Sequence, residues 1–236
     1  LLFAPEWLKS VISFSRKKFG RAMTDFAAAR RTMVENQLRT YDVTDQTLLA
    51  AFETVPREAF VAPAQAAFAY LDREVLARDV STRLLTPMVL ARMIQALELN
   101  RGEKVLDVGG AGYGAALLNA CGVEAVSLDR DPEAVKTSLS NAGVTGVTVV
   151  GGHLAEGAAA HGPFDAILVN GSAETEPTAL LAQLKDDGAL VIVIGHGRSG
   201  RARLFKRIGD KFSSARVIDA SAPALAEFAR KPEFAF

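Results

Sequence analysis

The residues with the clearest chemical potential sit in KVLDVGGAGYGAALLNA, residues 104–120. Asp107 lies near the end of an apolar run, and Gly109, Gly110 and Gly112 crowd the turn that follows. Asp129 closes the next apolar run, EAVSLD, with Arg130 directly behind it. A glycine turn between a strand and a helix lets backbone N–H groups approach a ligand, and the helix adds its positive N-terminal end. A carboxylate ending the second strand can accept paired hydrogen bonds from the two hydroxyls of a ribose. The span Val105–Tyr113 is therefore the leading ligand-site candidate. The plainer alternative is that the glycines only allow tight strand-to-helix packing.

Two nucleotide cofactors fit such a turn. Residues 110–115, GAGYGA, satisfy the G-x-G-x-x-A pattern of nicotinamide binders. Asp107, however, would repel a pyrophosphate, whereas it suits the cationic aminopropyl end of S-adenosylmethionine. The sulfonium cofactor is the preferred reading.

The elements that would position these groups follow from the hydrophobic rhythm. From Asp25 to about Leu99 the apolar residues Met33, Leu38, Leu48, Leu49 and Phe52 recur at near-helical spacing, broken at Pro56, Pro63 and Pro87. Thr44 is a weak helix cap there, helped by Asp45 and Gln46. From Lys104 onward, short apolar runs alternate with helical stretches at Ala115–Ala120, Pro132–Ala142 and Pro177–Lys185. Such alternation predicts a doubly wound, mostly parallel α/β sheet covered on both faces. The last strands, around Ala202–Ile208 and Ala215–Asp219, are expected to pair as a hairpin. The expected organisation is a leader or upstream extension over residues 1–22, a helical segment over 23–99 and a ligand-binding α/β domain over 100–236.

The bulk composition narrows the class. The chain has 236 residues, 49% of them hydrophobic, enough for a sizeable core. Lys plus Arg and Asp plus Glu each number 27, so no overall field favours nucleic acid. No apolar run reaches the roughly 20 residues of a membrane span. Cys121 is the single cysteine, which suits a reducing cytoplasm and is expected to pack rather than react. The three histidines lack ligand spacing, so no metal is expected. Residues 1–22 mix Trp7, Phe14 and Phe19 with basic residues; they read as a membrane-surface or targeting helix, or as sequence upstream of a start at Met23.

With these residues in view, the chain resembles the protein-L-isoaspartate O-methyltransferase family. The likeness rests on VPREAFV at residues 55–61, on AYLDREV at 69–75, on VLDVG at 105–109 and on the block from Pro163 to Gly195. The glycine motif would fit many methyltransferases, whereas VPREAFV and the last block are specific. The resemblance implies a class I methyltransferase-like Rossmann fold, S-adenosylmethionine as cofactor and isoaspartyl residues of damaged proteins as substrate; a monomer is expected, though the sequence does not fix the oligomeric state. The resemblance places the cofactor at Asp107, Gly109, Gly110 and Gly112, with Asp129 and Arg130 beside the ribose and Gly152 and His153 bordering the adenine.

Three departures from the family pattern stand out. The turn Asp107–Tyr113 is one residue shorter than the family's D-x-G-x-G-x-G-Y. The family's adenine-side acid is replaced by Gly152, where His153 could donate instead. The I-S-Q-P stretch implied to meet the substrate is Leu84, Leu85, Thr86 and Pro87 here, so Leu85 stands where the serine would be. Ser81 and Thr82 are out of register to replace it simply. Leu85, Thr86 and Pro87 are the substrate-side candidates, and Leu85→Ser is expected to raise isoaspartyl activity. A carboxylate substrate needs no general base; a phenol would, and Tyr113 or His153 could be proposed for it. Two alternatives remain beside the repair reading: a non-catalytic family member that acts by binding, and a methyltransferase with another substrate.

Overall fold

The computed structural model describes residues 25–78 and 82–230. The expectations for residues 1–22 and for Ser81 lie outside the described residues. The N-terminal third is helical but more broken than its apolar spacing suggests. Helix α1, Phe26–Met33, is capped by Asp25, whose side chain accepts from the N–H of Ala28 at 2.9 Å. It runs directly into a π-helical turn, Val34–Leu38, which turns both end residues into the core. Helix α2, Gln46–Thr54, is capped by Asp45 rather than Thr44: the carboxylate accepts from Thr47 and Leu48 at 2.8 and 3.1 Å.

Between α2 and the next helix lies a small hairpin with no counterpart in the sequence reading. Strand β1, Val75–Leu76, pairs antiparallel with β2, Arg83–Leu84. Helix α3, Pro87–Ala96, follows at once, with Thr86 as its cap and Pro87 at a position where a missing N–H costs nothing.

The large sheet contains β3 (Lys104–Val108), β4 (Glu124–Asp129), β5 (Thr148–Gly151), β6 (Phe164–Ala173), β7 (Leu184–Ile194), β8 (Arg201–Ile208) and β9 (Lys211–Asp219). Their spatial order is β5-β4-β3-β6-β7-β8-β9, parallel through β7, with the β8–β9 hairpin closing the edge as expected. Helices α4 (Tyr113–Ala120), α5 (Pro132–Asn141) and α6 (Thr178–Leu181) cross between strands. The helix expected over Pro177–Lys185 stops at Leu181, because Leu184 already begins a strand buried against Phe164.

Strand order reverses between β3 and β6, which marks the carboxyl ends of those two strands as the ligand crevice. The two-residue period of β3 decides what faces where. Leu106 and Val108 point into the core shared with Leu180, Leu225 and Phe228. Val105 points to the opposite core, beneath the N-terminal helices and α4. Asp107 shares the side of Val105, so its carboxylate is carried under the start of α4.

Candidate active site

Asp107 is fully buried. One carboxylate oxygen, Oδ1, accepts from the side-chain amide of Asn170 at 2.6 Å. Asn170 lies in β6 just past the last residue that pairs with β3, and its amide also donates to the carbonyl of Val108 at 3.1 Å. The other oxygen, Oδ2, has no hydrogen-bond partner among the described residues. Burial therefore pushes the Asp107 carboxyl up to about 7, against the lowering pull of Asn170 and the Ala115 N–H; nearby Asp129 pushes the same way as burial.

The glycine turn is shaped around this carboxyl. A Cβ on Gly110 would stand 2.7 Å from the Asn170 amide nitrogen and 3.0 Å from the unpartnered Oδ2. A Cβ on Gly114 would stand 2.1 Å from Oδ1. The shortened turn closes by placing Ala111 in the left-handed region, at φ 50°, which costs an alanine about 1–2 kcal/mol. That conformation aims the Ala111 N–H at Asp129 Oδ2, 3.0 Å away, while the Arg130 N–H meets Oδ1 at 2.8 Å. Asp129 thus fastens the shortened turn. Burial raises its carboxyl, and the N–H groups of Ala111, Arg130 and Asp131 oppose the shift.

A C-terminal strap lies over the same end of the sheet. The N–H of Ser172 donates to Pro223 at 2.7 Å, and the N–H of Leu225 donates back to Ser172 at 3.1 Å. The Leu225 side chain then covers both Gly109 and Gly171. Arg130 reaches the strap through a two-point ion pair with Glu227. Thr82, Arg83, Arg130 and the 223–227 strap line a cleft of about 580 Å³. That volume lies in the range of small-molecule sites, roughly 300–1,000 Å³.

This arrangement fits a ligand with a cationic head. An unpartnered carboxylate oxygen lies buried at the switch point, beneath glycines where any Cβ would intrude, and an adjacent acid ends the next strand. Residues 29–221 match the family model for protein-L-isoaspartate(D-aspartate) O-methyltransferase. The chain belongs to that family. Among curated members of the isoaspartate methyltransferase family, that of Methylorubrum extorquens (strain PA1) is 43% identical over 196 residues, covering 80% of this chain and 85% of the relative. That of Koribacter versatilis is 36% identical over 177 residues, covering 73% and 79%. A solved protein-L-isoaspartate O-methyltransferase superposes with a TM-score of 0.73 at 24% identity, over 85% of this chain and 67% of the other. A Plasmodium falciparum structure described as a protein-L-isoaspartate O-methyltransferase, in complex with S-adenosyl-L-homocysteine, gives 0.67 at 19% identity, over 84% and 98%.

Seen as an isoaspartate methyltransferase, the chain brings Asp107, Gly109, Gly110, Gly112, Asp129 and Arg130 together at one end of the sheet. Gly152 and His153 lie exposed just past β5, with the Gly152 N–H bonded to the Asp129 carbonyl at 3.1 Å. Asn170 and Gly114 meet the Asp107 carboxyl and Leu225 covers Gly109, neighbours that spacing does not reveal. Asn170 carries a signal all the same, as a polar residue ending the apolar run AILV.

The substrate-side candidates are placed differently from expectation. Leu85 is 1% exposed and belongs to the core, while its carbonyl accepts from the buried Arg57 guanidinium at 2.7 Å. Pro87 is buried, and Thr86 caps α3. The cleft takes Thr82 and Arg83 from this stretch, and none of Leu85, Thr86 and Pro87. The reason is local: the chain passes from β2 directly into the α3 cap, so Leu84 and Leu85 both turn inward. Leu85→Ser should accordingly lower stability by about 2–4 kcal/mol and bring no gain in isoaspartyl activity, as urea midpoints and turnover would show. Tyr113 is also buried, packed on Phe52, Phe60 and Arg57, and burial pushes its hydroxyl up to about 12. It is placed to pack and not to act as a base.

Asp129→Ala removes the acceptor for two turn N–H groups as well as a ligand-side carboxylate. It should cost about 1–3 kcal/mol of stability together with cofactor affinity. Thermal unfolding and S-adenosylhomocysteine calorimetry on the same sample check both.

Proposed function

We infer that the protein is an S-adenosylmethionine-dependent carboxyl methyltransferase that methylates L-isoaspartyl residues of damaged proteins. The observation that carries this reading is the buried, unpartnered Asp107 oxygen beneath the glycine turn of a chain that belongs to this family. When bound, S-adenosylmethionine supplies an electrophilic methyl group attached to sulfonium. Asp107 and Asn170 would hold its amino-acid head, the turn Gly109–Gly112 would meet it through backbone, and Asp129 and Arg130 would flank its ribose side.

The rest of the chemistry falls to alignment. A substrate carboxyl with a pKa near about 4 is ionised at neutral pH, so one of its oxygens already has the lone pair that forms the ester bond. No proton has to move, which agrees with a site that places neither Tyr113 nor a buried histidine at the cleft. Orientation and exclusion of water are worth up to about 7–11 kcal/mol in such reactions. The strap over Gly109, anchored by Ser172 and by the Arg130–Glu227 pair, supplies the exclusion. With its one cysteine reduced, such an enzyme suits the cytoplasm.

Incubation with methyl-labelled cofactor and an isoaspartyl peptide tests this reading. Incorporation should exceed that into the same peptide with normal aspartate, and equal labelling would remove the substrate. One observation favours a second reading, a binding protein without turnover: both Asp129 oxygens already hold turn N–H groups, and the turn itself is buried. Cofactor binding without labelling of either peptide would favour that reading, or a methyltransferase for another substrate.

A further inference from the structure

We propose that Arg83, with the Thr82 hydroxyl beside it, is the residue that recognises the substrate's carboxylate. The inference rests on the methyltransferase reading above and deepens it. The stretch that the resemblance assigned to the substrate offers the cleft no side chain from Leu85 or Pro87, both of which are buried. Thr82 and Arg83 line the cleft in their place, opposite Arg130 and the 223–227 strap.

Charge selects the ligand class. The ionic side chains lining the cleft are Arg83, Arg130 and Glu227. Glu227 is taken up by Arg130 through two contacts. Arg83 makes no ion pair among the described residues, and the three ionic side chains named here sum to one positive charge. An arginine fork matches a carboxylate better than any other common side chain does. A single guanidinium contact to one carboxylate oxygen leaves the other oxygen free to form the bond to the methyl carbon. The electron pair of the breaking carbon–sulfur bond stays on sulfur, so the products are a methyl ester and S-adenosylhomocysteine.

The backbone that carries Arg83 is pinned on either side, while its side chain is exposed to the cleft. It pairs with Leu76 across the β1–β2 hairpin, and the carbonyl of Thr82 accepts from the N–H of Ala77 at 3.0 Å. On the other side, the buried Arg57 guanidinium ties the Leu85 carbonyl at 2.7 Å and that of Ala69 at 2.8 Å. A side chain on a backbone fixed at both ends loses less freedom on binding and places its fork reproducibly.

The test compares wild type with Arg83→Gln, Arg83→Lys and Thr82→Val in the full chain. Steady-state kinetics on an isoaspartyl peptide are read beside S-adenosylhomocysteine calorimetry and thermal unfolding. Arg83→Gln should raise KM by about 10–100-fold, leave kcat within about threefold and leave the S-adenosylhomocysteine Kd unchanged. Wild-type KM should rise with salt while that of Arg83→Gln stays flat, and Arg83→Lys should recover part of the loss. Thr82→Val should raise KM by a smaller factor. An unchanged KM in Arg83→Gln overturns the proposal alone, and so does a parallel loss of S-adenosylhomocysteine affinity or melting temperature. A wild-type protein that binds S-adenosylhomocysteine but never labels the peptide overturns the substrate reading along with it.

Discussion

Asp107→Asn should make the protein more stable above neutral pH and, in the same molecule, weaken its hold on S-adenosylhomocysteine. The stability half follows from proton linkage. The Asp107 carboxyl is raised from 3.8 to about 7 in the folded protein, chiefly by burial, so folding favours its neutral form. Its contribution is therefore fully present below pH 3.8 and is lost as pH climbs from there through about 7. Above that window the ionised group costs the fold on the order of 4 kcal/mol, the free-energy equivalent of a shift of that size. An asparagine can still accept from Asn170 and carries no charge. The variant should gain about 1–4 kcal/mol over wild type at pH 8 and almost nothing at pH 4, as urea midpoints across that range will show. Loss of a charge-assisted contact should cost about 1.5–3 kcal/mol of binding, one to two decades in Kd. A merely structural aspartate would show the first change without the second.

Gly114→Ala should destabilise the fold strongly and abolish ligand binding together. The added Cβ would lie 2.1 Å from Asp107 Oδ1 and 2.9 Å from its Cγ. That carboxyl has little room to swing aside, because Asn170 holds it in a fully buried site. Either α4 lifts off β3 or the carboxyl leaves its partners; overpacking of this kind costs about 3 kcal/mol or more. Both routes displace the glycine turn, so S-adenosylhomocysteine binding should be lost. Gly152→Ala is the matched control. Its Cβ would meet only the end of the Leu128 side chain, at 3.3 Å, and it should shift the melting midpoint by far less. Equal losses in the two variants would mean that the Asp107 pocket is not tightly built.

The parts of this site that sequence makes legible are those held in a single segment. Asp107, the glycine turn and Asp129 lie on successive strands of regular period, so their shared end of the sheet follows from alternation alone. Contacts between distant segments leave no such trace. Asn170 is 63 residues from Asp107, and only the reversal of strand order brings the two side chains together. Leu225 reaches Gly109 because Ser172 pulls the strap onto β6, a pairing that no local pattern announces.

Leu85 shows a different limit. A resemblance sets which residue stands at a position, while the direction of its side chain depends on how β2 joins α3. The two-residue strand β2 is too short for alternation to be visible, and its hairpin partner β1 is shorter than any periodic signal. In the N-terminal third, the apolar spacing identifies the buried residues Met33, Leu38, Leu48 and Phe52 correctly. It does not reveal that the backbone between them narrows and widens through π and 3-10 turns. Burial needs only that those side chains converge, and several backbone paths satisfy it.

Calorimetric titration of the full chain with S-adenosylhomocysteine, repeated with Asp107→Asn, shows whether the buried Asp107 carboxyl holds the cofactor. Saturable one-site binding in the micromolar range is expected for the wild type, and a Kd weaker by one to two decades for the variant. No heat of binding at millimolar ligand, or equal affinity in the two proteins, would contradict that role.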